Sequence, residues 1–88
     1  MELRPEVRAF AEAMEDRLRA NDHKTGWKGE DWDWLLMRLG QEVAELRLCL
    51  MTDSWQTTND IRHEAADVAN FAMMIADVCG CLASSPES

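Results

Sequence analysis

Two pairs of carboxylates carry the chemical potential of this chain. Glu42 and Glu45 form an E-x-x-E in Gln41-Glu42-Val43-Ala44-Glu45-Leu46, and Glu64 and Asp67 form an E-x-x-D in His63-Glu64-Ala65-Ala66-Asp67-Val68. Residues three apart on an α-helix share a face, with Cβ atoms roughly 5–6 Å apart. Each pair is therefore an acidic claw on its own helix. If the two helices lie side by side, four hard oxygen ligands converge. Such a cluster repels itself unless a cation neutralises it, and Mg²⁺ is the expected ion, with Mn²⁺ as a substitute. Four residues after each carboxylate stand Leu46, Cys49, Val68 and Phe71, none of them a cation. Arg38 precedes Glu42 by four and offers the structural alternative, an ion pair along the helix.

Three helices are predicted to position these groups. The first runs from about Pro5 to Ala20, opened by a proline suited to a first turn. Its apolar stripe is Leu3, Val7, Phe10, Met14 and Leu18, and Asn21-Asp22 breaks it. Asp31 is expected to cap the second helix, about Trp32 to Met51, with the stripe Leu35, Leu39, Val43, Leu46 and Leu50. On a wheel at 100° per residue, Glu42 falls roughly 70° from the centre of that stripe and Glu45 roughly 130°. Gly40 sits mid-helix, where it either marks a close helix–helix approach or is simply tolerated. After a loop around Trp55, the third helix spans about 59–79, with Gly80 as its stop and a disordered tail over about 82–88. Its stripe of Ile61, Ala65, Val68, Ala72, Ile75 and Cys79 is widened by Phe71, Met74 and Val78 to more than about 180°. A helix apolar around so much of its circumference belongs at the centre of a bundle or in a subunit contact. Asp67 falls inside this apolar sector, where a carboxylate must be paired, coordinated or neutral.

Length and composition bound the rest. The 88 residues fit one small all-α domain, with a hydrophobic fraction of 47% to build a core. So short a domain buries little surface alone, which makes oligomerisation a natural supplement. A net charge of −8 argues against a nucleic-acid polymer or an anionic membrane as partner. It leaves room for a free nucleotide, whose phosphates a bound cation would attract. Cys49, Cys79 and Cys81 fit neither zinc nor redox spacing and read as reduced thiols of a cytoplasmic protein. The stretch Met1–Glu6 has no apolar h-region of a signal peptide, and no apolar run approaches the ~20 residues of a membrane span.

The polar loop 22–31 holds Trp27 between Lys24 and Lys28. Two readings stand: lysines on phosphate oxygens with Trp27 stacked on a base, or solvated lysines with Trp27 packed on the bundle end. Trp32, Trp34 and Trp55 read as packing residues, and Met37, Met51, Met73 and Met74 as core or interface. His23 and His63 read as surface or capping residues.

Taken together, Asn21-Asp22-His23-Lys24-Thr25-Gly26-Trp27, Leu39-Gly40-Gln41-Glu42-Val43-Ala44-Glu45-Leu46 and His63-Glu64-Ala65-Ala66-Asp67-Val68-Ala69-Asn70-Phe71 resemble the MazG-like, all-α nucleoside triphosphate pyrophosphohydrolases over about residues 10–78. The resemblance implies Mg²⁺ held by Glu42, Glu45, Glu64 and Asp67. It implies hydrolysis between the α and β phosphates to a monophosphate and pyrophosphate, and a homodimer or dimer of dimers. It also suggests that Asn70 bonds to sugar or phosphate; a plain surface asparagine is the other reading. Relatives commonly carry a double Glu where this chain has Gln41-Glu42. Gln41 can orient a water but is a poor base, so another carboxylate or a hydroxide on the ion would have to serve. Two alternatives accompany this expectation. One is a related phosphoribosyl-ATP pyrophosphohydrolase or deoxynucleotide diphosphatase; the other is a non-catalytic acidic helical module that binds a protein.

Overall fold

The computed structural model describes residues 1–22, 26–52 and 58–82, with side chains in the last stretch from residue 60 onward. Three helices make up an all-α fold: α1 (Pro5–Ala20), α2 (Trp32–Met51) and α3 (Thr58–Val78). Their ends carry the chemistry that ends helices. Pro5 opens α1, and the Arg4 carbonyl accepts the Arg8 N–H at 3.0 Å. At its other end the Asn21 amide donates to the Arg17 carbonyl at 2.9 Å. Thr52 closes α2 by turning both its hydroxyl and its N–H onto the Leu48 carbonyl, at 2.6 and 3.1 Å. Gly80, at φ +81, closes α3, with the Gly80 N–H on the Asp77 carbonyl and the Cys81 N–H on the Ala76 carbonyl, both 2.9 Å. This pair of bonds is a Schellman motif, and it needs the left-handed backbone that glycine adopts at least cost.

Asp31 precedes α2 with an extended backbone, and its carbonyl accepts the Leu35 N–H at 3.1 Å. Its carboxylate makes no capping bond, contrary to expectation. The carboxylate that serves this terminus is Asp33, which accepts the Trp34 N–H at 2.9 Å. Trp55 and the tail beyond residue 82 lie outside the described residues.

As predicted, α3 is central: α1 and α2 both pack on it, α2 the more extensively, and among the described residues they do not pack on each other. The seams are built from Ala13 on α1, Leu35 and Cys49 on α2 and Ala66 on α3, and Leu35 is fully buried. Complete burial of a leucine contributes about 2 kcal/mol of hydrophobic free energy.

The buried line of α2 is Leu35, Glu42 and Cys49, with Leu39 and Leu46 half-buried beside it. Val43 and Leu50, expected in the core, are exposed. The inward face is thus turned by roughly 60° from the apolar stripe. Leu3, Val7 and Phe10 are likewise exposed, so α1 docks mainly through its second half, around Ala13. Trp32 (56% exposed), Met37 and Met51 are surface residues in this chain rather than core. Gly40 has open space where a Cβ would stand, so among the described residues no helix approaches closely there. The three cysteines are free thiols, and no described helix is long and apolar enough to cross a membrane.

Candidate functional site

Turning α2 puts Glu42 at the centre of its inward face, 7% exposed, rather than at the margin. Opposite it, α3 presents Glu64 and Asp67 one turn apart. Carboxylate oxygens of Glu42, Glu64 and Asp67 lie within 4.8 Å of one another. Around an octahedral Mg²⁺ with ligands at about 2.1 Å, neighbouring ligands stand about 3.0 Å apart and opposite ones about 4.2 Å, so the three would have to draw together around the ion or reach it through its waters. Glu45 is exposed and outside this group, on the wall of the same cavity. Three of the four predicted ligands converge and the fourth flanks them. Gln41 is exposed on α2, and the cavity wall does not include it.

The electrostatics carry the strain of this arrangement. Burial pushes the Glu42 carboxyl above its ordinary value, helped by the Glu45 charge and opposed by Arg38. Burial likewise raises Glu64, with Glu45, Asp67 and Glu42 adding to the shift. Glu64 keeps one buried oxygen, Oε1, without a hydrogen-bond partner among the described residues. An acceptor left in that state costs free energy that a cation would recover.

Two arginines supply the existing counter-charge. Arg38 Nη2 donates to Glu42 Oε2 at 3.1 Å, the along-helix ion pair that the spacing offered. Its guanidinium lies between two rings, 4.9 Å from the Phe71 centroid and 5.7 Å from that of Trp34. Arg17, from α1, grips Asp67 with both arms of its fork: Nε to Oδ1 at 3.0 Å and Nη2 to Oδ2 at 3.3 Å. This pair raises the Arg17 pKa further.

Asn70, one turn beyond Asp67, is 3% exposed, which rules out the plain surface residue. Its Nδ2 donates to the Met14 carbonyl at 3.0 Å, and its Oδ1 is buried without a partner among the described residues. Trp27 is half-buried. Its Nε1 donates to Asp77 Oδ2 at 2.8 Å, and Lys28 Nζ reaches the same oxygen at 2.6 Å while lying 5.5 Å from the Trp27 ring centroid. Asp77 is held below its usual pKa by these two bonds. Lys28 is thus neither a free solvated lysine nor part of the cavity wall. Lys24 and His23 lie outside the described residues.

All three helices and the 26–30 loop enclose one cavity of about 480 Å³. Its wall includes Glu42, Glu45 and Asp67 on one side, Trp27 and Trp34 on another, and Asn70 at the α1–α3 seam. That volume accommodates a nucleotide-sized ligand. Arg17, Trp34 and Asp77 are site residues that sequence reasoning did not find. Arg17 and Asp77 act on partners fifty positions away, which no local spacing reveals. For Trp34 a signal existed: it stands four residues before Arg38, so the two share a helix face.

Comparison with models of known families, with curated proteins and with solved structures finds no match. What the fold and site define is an all-α domain with a carboxylate triad, two of whose members stand on the wall of an aromatic-lined cavity.

Proposed function

We propose that this protein is a Mg²⁺-dependent nucleoside triphosphate pyrophosphohydrolase, converting a (d)NTP to the (d)NMP and pyrophosphate and clearing non-standard nucleotides. The observation that carries the reading is the convergence of Glu42, Glu64 and Asp67 within 4.8 Å, with Glu42 and Asp67 on the wall of a nucleotide-sized cavity. The buried, unpartnered Glu64 Oε1 and Asn70 Oδ1 fit it, since each is an acceptor waiting for a ligand. A bound Mg²⁺ would bridge phosphate oxygens and offset the charge developing on them.

In this reading Glu42, Glu64 and Asp67 hold the ion and Glu45 completes the set from the rim. Trp27 and Trp34 offer faces to a base, and Asn70 Oδ1 accepts a sugar hydroxyl. Gln41 would orient the attacking water, a role that its exposed position supports least. The protein works as a homo-oligomer, with Trp32, Leu36, Val43 and Leu50 as the uncovered apolar face of α2.

One observation favours a second reading, a non-catalytic acidic module that binds a protein. Arg17 and Arg38 already give two of the three carboxylates partners. Pyrophosphate release across a panel of nucleotides with Mg²⁺, with the monophosphate product identified, separates the two. Turnover on any triphosphate supports the hydrolase and names its substrate. No turnover, with thermal stability unmoved by Mg²⁺, supports the module.

A further inference from the structure

We infer that Arg17 is a phosphate-binding residue that exchanges partners: it pairs with Asp67 in the ligand-free protein and passes to the phosphates of the substrate when a cation takes Asp67. The inference rests on the metal reading of Glu42, Glu64 and Asp67 and goes beyond it, because it assigns a role to a residue of α1 outside the acidic motifs.

The geometry of the two arginines separates their roles. Arg17 bonds to both oxygens of Asp67, at 3.0 and 3.3 Å, so a cation that coordinates Asp67 competes with the guanidinium for the same carboxylate charge. Arg38 leaves one oxygen of Glu42 free of its bond and lies over the Trp34 and Phe71 rings. No such ring holds Arg17 among the described residues, although its side chain is about as exposed as that of Arg38, 30% against 34%. Both arginines line the cavity. Once released, a guanidinium on that wall meets its strongest available anion in a phosphate, which accepts the same two-armed grip. The unpartnered Oδ1 of Asn70, buried on the same wall, independently points to a ligand there.

Arginine Nε–Hε NMR spectra of the full chain test this directly, with the Arg17 signal assigned by its loss in Arg17→Lys. The probes are Mg²⁺ alone and Mg²⁺ with imidodiphosphate, a non-hydrolysable pyrophosphate. The Arg17 signal should move when Mg²⁺ saturates and move again when imidodiphosphate is added. In Arg17→Met, which keeps the aliphatic stem, Mn²⁺ affinity read by water proton relaxation should rise about threefold to tenfold, while Mg²⁺–imidodiphosphate affinity falls by a similar factor. A purely structural Arg17 would weaken both. If Arg17→Met loses its helical circular dichroism, the wild-type spectra decide alone. Saturation by Mg²⁺ with the Arg17 signal fixed overturns the inference and leaves the metal site standing. An Arg17 signal that moves with Mg²⁺ but does not move again on adding imidodiphosphate overturns the phosphate role. Failure of the wild type to bind Mg²⁺ or Mn²⁺ removes both the metal reading and this one.

Discussion

The indole N–H of Trp27 donates to Asp77 at 2.8 Å and so ties the loop before α2 to the last turn of α3. This bond fixes the aromatic wall of the cavity from a residue that does not line it. Asp77→Ala should shift tryptophan emission to the red and raise KM several-fold for the substrate, with kcat within about twofold. The same shift should appear in the wild type at acid pH. The Asp77 pKa is lowered in the folded protein, so its contribution is present above the ordinary value of 3.8 and is lost as pH falls through the lowered one. Emission in Asp77→Ala identical to wild type would contradict the tie.

Glu42 and Glu64 have the opposite sign. Their folded pKa values lie above the ordinary 4.5, so the folded state binds protons more readily than the unfolded one. Stability from these groups is therefore full below 4.5 and declines as pH rises through the raised values. Thermal melts without metal should show Glu64→Gln more stable than wild type at pH 7, by up to about 1 kcal/mol, and level with it near pH 4. Mg²⁺ should stabilise the wild type at pH 7 more than the variant.

Glu42→Gln and Asp67→Asn keep side-chain volume and remove a charge. Each should lower turnover by at least about a hundredfold with helical circular dichroism unchanged. Full activity in either variant would sink the metal-site assignment.

Gly40→Ala offers a test of the fold apart from the chemistry. The position is helical, exposed and open where a methyl would stand. The variant should be more stable by about 0.5–1 kcal/mol in urea melts. Destabilisation would mean that another surface covers Gly40 in solution.

The helices were legible in the chain because their ends are written locally, in Pro5, in Thr52 and in Gly80 with its two bonds. The central place of α3 was legible from the breadth of its apolar sector. The rotation of α2 was not. Val43 and Leu50 carry the same hydropathy whether they face α3 or solvent, so the wheel centred on them and set Glu42 aside. The acidic motifs identified the carboxylates, but their counter-ions depend on which helix packs where. Arg38 was visible as an along-helix neighbour. Arg17 was not, because its partner is fixed by tertiary packing alone.

The side-chain ties between α1 and α3 join residues far apart in the chain: Arg17 to Asp67, Arg62 to Asp16 and Asn70 to the Met14 carbonyl, spanning 46 to 56 positions. Among the described residues α1 packs on α3 alone, so it meets its partner helix only once α3 has been made. Closing so long a loop carries an entropic cost that must be met before these contacts form. The α2–α3 hairpin is therefore expected to form first, and the cavity to take shape only when α1 returns to it, as the closing event of folding.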